Sequence, residues 1–345
     1  MKQAIKSGSE TLSISKEASS AIKGVLILLV VLGHNSLLCN EWNGSVPVER
    51  YFYWRWLYTF HVYCFFILPF IYNRKPYTKG NIIKYAVRLL YPYLWICALC
   101  AIINVYVLRN PFAGWYELLR AVLYGSELLL DNTIGFNFPW FLPAMFSLLL
   151  LKDVYYSNGK IVRVILVGIG IVLWFIVLHG DMKFSTLGTF MPLSIVSAFR
   201  VFPICLLTVW LAERISFSFI SCCLTAIGFL FLSFLLCVAQ TCNAQLWKMI
   251  FYFVMPIAAF LFLLQICDFL SKSVLLIRLG RNSLQIYLYH VIIFNALLLF
   301  VKQFHFTPTV IWGLVVYCMT LFFAEIMAKF INSNKFFKNV LYPSK

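Results

Sequence analysis

Lys23-Gly-Val-Leu-Ile-Leu-Leu-Val-Val-Leu-Gly-His34 sets ten consecutive apolar or glycine residues between a lysine and a histidine. A segment without a polar face cannot be the half-buried helix of a soluble domain, which keeps one side for water. It reads as part of a membrane-spanning helix, and apolar runs of about 20 residues recur to the end of the chain. Bulk composition agrees. The 345 residues are 62% hydrophobic and 12% charged, with a mean hydropathy of +0.88, which excludes a chain that folds in water.

Apolar runs bounded by charges, Pro, Gly or Asn predict ten spans, near 21–39, 53–72, 86–108, 138–156, 161–179, 192–212, 217–239, 247–268, 281–301 and 309–331. Between the third and fourth, Trp115, Leu118, Leu119, Val122 and Leu123 recur at helical spacing among Glu117, Arg120 and Glu127. That stretch, 111–135, is predicted to lie in the interface rather than cross. The expected fold is all-α, a polytopic bundle forming a single integral-membrane domain over 1–345, with 1–20 and 332–345 as cytoplasmic terminal segments. The first apolar run follows Lys16 and Lys23 as a signal peptide would. No small-x-small cleavage site comes after it, so it is expected to stay as the first helix.

A net charge of +16 would suggest nucleic acid in a soluble protein. Sorted by loop, however, the Lys and Arg residues segregate: twenty fall on one side of the ten-span arrangement, seven on the other, and Arg200 inside the sixth span. By the positive-inside rule the richer side, with both termini, is cytoplasmic. The charge is thus topological, and membrane lipid rather than nucleic acid is the expected partner. The eleven cysteines form no CxxC pair and no metal-ligand cluster with histidine, so no metal is expected. Only Cys39 and Cys242 fall near predicted outer loops, where a disulfide is conceivable.

Loops are short and no internal repeat is visible, so the chemistry must reside in the bundle. A polar or ionisable group in a bilayer costs roughly 2.5 to 3.5 kcal/mol on insertion scales, so those present mark a partner or a cavity. Lys23 and His34 are eleven residues apart, about three helical turns, and share a face about 16 Å apart along the axis. Together they offer a cation for phosphates and, deeper, an imidazole; a snorkelling lysine and a hydrogen-bonded core histidine are the alternative. His61 and His290 are two further intramembrane imidazoles. Ser283, Tyr287 and His290 follow i, i+4, i+7 spacing, a polar stripe that interhelical bonding alone would also explain. Lys84 and Arg88 open the third span beside a basic loop, where a guanidinium suits bidentate phosphate binding. Trp140 begins the fourth span, as a site aromatic or as part of an interfacial belt.

These segments resemble signatures of the membrane-bound acyltransferase-3 family, which includes O-acetyltransferases of bacterial surface polysaccharides. Lys23 to His34 resembles its basic-x10-His element, and Phe60-His61-Val-Tyr-Cys-Phe-Phe66 its Phe-His-x-x-x-Phe-Phe stretch. Trp140-Phe-Leu-Pro143 resembles its Trp-Phe-Leu motif, and Leu279-Gly-Arg-Asn-Ser-Leu-Gln-Ile-Tyr-Leu-Tyr-His290 its Gly-x-x-Ser-x-x-x-Tyr-x-x-His helix. The order is conserved along most of the chain. Lys23 stands where arginine is usual, Tyr85 replaces the first arginine of an Arg-x-x-Arg element that ends at Arg88, and Leu68-Pro69-Phe70 occupies a place where Ser-Gly is common.

The resemblance implies an O-acyltransferase of the bacterial inner membrane. Acetyl-CoA, or another acyl-CoA, would be its co-substrate and a saccharide its acceptor, with no tightly bound cofactor. Lys23, Arg88 and Lys84 would hold the donor's phosphates. His34 would act as general base on a sugar hydroxyl, a covalent acyl-histidine being the alternative. His61 and His290 would orient the acceptor or stabilise the oxyanion, and Trp140 and Tyr287 would form a sugar wall, with Ser283 on the same stripe. The competing class is a transporter or flippase of lipid-linked saccharides, in which intramembrane His and Arg also line the path; paired repeats and broken helices, which transporters often show, are not evident in the sequence.

Overall fold

In the computed structural model, which describes residues 5–8, 11–35, 52–72, 79–179, 191–239, 245–304 and 309–342, helix lies within each of the ten predicted spans. In chain order the helices are α1 (Lys16–Gly33), α2 (Phe52–Tyr58), α3 (His61–Tyr72), α4 (Lys79–Tyr85), α5 (Tyr91–Ile102), α6 (Trp115–Tyr124), α7 (Glu127–Ile134), α8 (Phe141–Ser157), α9 (Lys160–His179), α10 (Ile195–Ala212), α11 (Phe219–Ala239), α12 (Gln245–Gln265), α13 (Cys267–Leu270), α14 (Val274–Arg281), α15 (Ser283–Gln303), α16 (Val310–Ser333) and α17 (Lys335–Leu341). Six helical stretches among the described residues are long and apolar enough to cross a membrane: 80–107, 138–157, 192–212, 219–238, 283–303 and 310–333.

One departure from an all-helical chain is a two-stranded antiparallel ribbon before α1, β1 (Ile5–Gly8) and β2 (Thr11–Ile14), with Ile5 opposite Ile14. The β-branched residues Ile5, Thr11 and Ile14 favour extended backbone, and Ile14 is buried.

Residues 1–72 and 207–331 pack into one compact unit, and residues 73–206 with 332–345 into another. In the first unit α1 lies at the centre. Its N-cap is Ser15, whose Oγ accepts from the Ala18 N–H at 3.0 Å. Ile27, Val30 and Val31 pack with Leu279, Ile286 and Ala324 of α14, α15 and α16. Two glycines bring α1 and α14 into backbone contact: a Cβ on Gly24 would stand 2.1 Å from the Leu276 carbonyl oxygen, and one on Gly280 would stand 1.6 Å from that of Ser20.

Two predicted spans of this unit end or break differently from their expected course. The first was expected to run to 39, yet α1 stops at Gly33 and His34 forms its C-cap, with its backbone N–H on the Leu32 carbonyl. Asn35 supplies the physical reason. It is 1% exposed, its Nδ2 donates to the Gly313 carbonyl at 2.7 Å and its own carbonyl accepts from Tyr53 Oη at 3.0 Å, partners that a continuing helix would not reach. The second span breaks at Thr59 and Phe60 between α2 and α3. At the break the backbone tightens to bonds three residues long, Thr59 N–H to the Trp56 carbonyl at 3.3 Å and Phe60 N–H to that of Leu57 at 3.1 Å. Side chains add to them: Thr59 Oγ1 donates to the Trp56 carbonyl at 2.6 Å and His61 Nδ1 to that of Leu57 at 2.5 Å.

In the second unit the third span starts earlier than predicted. Helix already begins at Lys79 and passes through a π turn at Ala86–Leu90, where the Tyr91 N–H reaches back five residues to the Ala86 carbonyl. Pro92 explains the turn: it has no N–H for the Arg88 carbonyl four residues earlier, and its ring crowds that oxygen. The 111–135 stretch forms two short helices rather than one, α6 and α7, because Gly125 takes a left-handed conformation (φ 62°) between them. Trp115, Leu119 and Leu123 of α6 are exposed, an apolar face suited to lipid. Arg200, the cation left inside the sixth span, lies 5.5 Å from the Trp174 ring centroid and close enough to Glu127 to influence its charge. Burial pushes the Glu127 carboxyl above the usual carboxylate range, against the opposing pull of Arg200 and with a smaller push from Asp131.

Cys39 and Cys242 lie outside the described residues. Nine other cysteines are free thiols.

Candidate active site

His34 leaves the end of α1 with its ring turned into the first unit. The His290 ring, on α15, is 5.1 Å away between centroids and inclined at 62°, and the Tyr58 ring at the end of α2 is 6.3 Å away. His61, the first residue of α3, packs edge to face on Tyr58 at 4.8 Å. Three imidazoles far apart in sequence are thus assembled around one tyrosine and the unwound end of a helix. His61 is 1% exposed and His290 is 0% exposed, whereas His34 is only partly buried.

Backbone carbonyls fix two of these rings. His61 Nδ1 faces the Leu57 carbonyl, and His290 Nδ1 faces the carbonyls of Tyr287 at 2.7 Å and Ile286 at 3.2 Å. A carbonyl oxygen only accepts, so the hydrogen resides on Nδ1 and the lone pair of each neutral ring on Nε2. A Cβ on Gly33 would lie 3.7 Å from His61 Nε2, which places that nitrogen against the residue preceding His34. The same Cβ would meet Tyr58 Cε2 at 3.2 Å, so a side chain at Gly33 would press on the Tyr58 ring.

Tyr287 also reaches this cluster, its ring 5.9 Å from that of His290. Ser283, at the opposite end of the stripe, opens α15 seven residues earlier, about 10 Å along the helix, and is not brought to the imidazoles. Lys23 is half-buried on α1, also remote from them along its helix. Lys84, Arg88 and Trp140 belong to the second unit. Lys84 and Arg88 are exposed, Arg88 within the π turn, and Trp140 is partly buried in the short 3-10 turn that precedes α8.

Sequence reasoning missed Tyr58 and Trp54, whose rings stack at 3.9 Å between centroids. The signal was present as spacing: Trp54, Tyr58 and His61 follow i, i+4, i+7. It also missed Asp153, buried in the fourth span. Among the described residues no group of three or more His, Cys, Asp or Glu side chains is arranged to hold a metal ion.

Apolar helices long enough to cross a bilayer, enclosing clustered imidazoles, define a membrane protein with a site equipped for proton transfer. The chain belongs to the acyltransferase-3 family: that family's model, described as an acyltransferase domain, matches residues 17–329. It is therefore a membrane acyltransferase. No curated protein and no solved structure matches it.

Proposed function

We propose that the protein transfers an acetyl group from cytoplasmic acetyl-CoA to a sugar hydroxyl of a cell-surface or lipid-linked polysaccharide in a bacterial inner membrane. The observation that carries this reading is the partly exposed His34 ring, held between His290 and Tyr58 at the C-terminal end of α1, the helix that carries Lys23 about three turns earlier. Positive-inside counting puts Lys23, Lys84 and Arg88 on the cytoplasmic side, where a nucleotide thioester arrives.

In this reading His34 takes the proton of the acceptor hydroxyl as its oxygen attacks the thioester carbonyl carbon. Collapse of the tetrahedral intermediate breaks the C–S bond, and the coenzyme A thiolate leaves with the proton that His34 returns. His61 and His290, whose Nδ1–H groups are committed to backbone carbonyls, accept at Nε2. That favours orienting a hydroxyl over donating to an oxyanion, a choice the sequence left open. Tyr58 and Tyr287 pack the rings in place.

Purified protein supplied with labelled acetyl-CoA and glycan extracted from the host should cleave the thioester and acetylate the glycan. Saccharide movement across a vesicle membrane without thioester cleavage would favour the transporter. The helix break before His61 removes unbroken helices as an argument against that alternative, and family membership carries the case for acyl transfer. Arg88→Ala should raise the KM for acetyl-CoA about tenfold or more with a smaller effect on kcat, as expected from the loss of a charge-assisted phosphate contact. An unchanged KM would put the donor elsewhere.

A further inference from the structure

The fourth span buries two adjacent charges, Lys152 at 2% and Asp153 at 1% exposure. Their Nζ and Oδ1 atoms are 3.8 Å apart. Charges in an apolar helix need partners, and Asp153 finds them across the second unit: Asn81 Nδ2 donates to Oδ2 at 3.1 Å, and Tyr85 Oη donates to the same oxygen at 3.1 Å. Asn81 and Tyr85 are four residues apart, on one face of α4. Lys84 and Arg88 are also four residues apart, and both are exposed. Asn81, Tyr85 and Arg88 follow i, i+4, i+7 spacing and Lys84 adjoins them, so Asp153 holds the stripe of helix along whose edge the two cations stand. The grip is applied immediately before the π turn at 86–90, a kind of local helix bulge frequent at functional sites.

We propose that Asp153, acting through Tyr85 and Asn81 with Lys152 as its counter-charge, is a positioning residue that sets the rotation of Lys84 and Arg88 toward the phosphates of the acyl donor. This rests on the donor site proposed above. It gives Tyr85, which stands where the family has an arginine, a role of its own: its hydroxyl anchors the helix to a buried carboxylate instead of adding another cation. A buried carboxylate beside a phosphate site would repel the ligand were it not neutralised, and Lys152 supplies that neutralisation.

The test is equilibrium binding of coenzyme A, and separately of pantetheine, which lacks the phosphates, to purified full-length protein. Asp153→Asn and Tyr85→Phe should each weaken coenzyme A binding about tenfold, the equivalent of one charge-assisted hydrogen bond, and leave pantetheine binding unchanged. Tyr85→Phe removes a single hydroxyl and decides the matter if Asp153→Asn does not fold. Unchanged coenzyme A binding in Tyr85→Phe, with Arg88→Ala still weakening it, would overturn the positioning role and leave the donor site standing. An equal loss for coenzyme A and pantetheine would show general damage and likewise overturn it. No effect of Arg88→Ala would remove the donor site and this inference with it.

Discussion

His34→Ala, in protein that remains folded and inserted, is expected to lower the rate of acetyl transfer by roughly 10²- to 10⁴-fold, the span that a positioned general base contributes. Of the three imidazoles it alone is not fully buried. The Nδ1 atoms of His61 and His290 are already committed to backbone carbonyls, whereas His34 stands at a helix end where the backbone turns away. Because Lys23 and Arg88 are untouched, the KM for acetyl-CoA should change little. Rates with labelled acetyl-CoA and host glycan extract measure the effect, and His34→Gln, which keeps most of the ring's volume, controls for lost packing. Full transfer by His34→Ala would end the general-base assignment.

Gly280→Ala should have the largest effect on folding. A methyl group there would sit 1.6 Å from the Ser20 carbonyl oxygen, an overlap that no rotamer change relieves because both sides are backbone. Overpacking of this kind costs about 3 kcal/mol or more, and helix pairs in a membrane depend on such small-residue contacts because lipid gives no hydrophobic drive to pack. Displacing α14 from α1 would also shift the helix that carries Lys23 and ends in His34. Gly24→Ala should behave alike, its Cβ falling 2.1 Å from the Leu276 oxygen. Gly168→Ala and Gly228→Ala, where a Cβ meets nothing within 4 Å, should be neutral. Thermal unfolding monitored by size-exclusion recovery from detergent measures this, and a Gly280→Ala protein as stable as the parent would show that α1 and α14 do not touch as described.

Much of the site was legible along the chain because intramembrane polar residues are expensive and therefore conspicuous. His34, His61, His290 and Tyr287 all stood out, and the structure brings their rings together. Asp153 was legible only as one of two adjacent charges, Lys152 and Asp153, within an apolar run; its partners Asn81 and Tyr85 lie about 70 residues away in sequence. Arg88 was recognised, but its setting in a π turn was not read from Pro92 four residues on.

The sequence by itself determined a helical membrane protein of a recognisable family, since uninterrupted apolar runs leave lipid as the only workable solvent and the spaced motifs occur in order along them. Tertiary structure decided where those runs stop being helix. α1 ends at Gly33 where Asn35 bonds to Tyr53 and Gly313, and the second span breaks before His61 where the Thr59 and His61 side chains reinforce a tightened turn at the Trp56 and Leu57 carbonyls. Hydropathy records how apolar a stretch is. It is silent on which distant carbonyl or carboxylate waits beside it, and those partners set the ring tautomers and anchor the turn that bears Arg88.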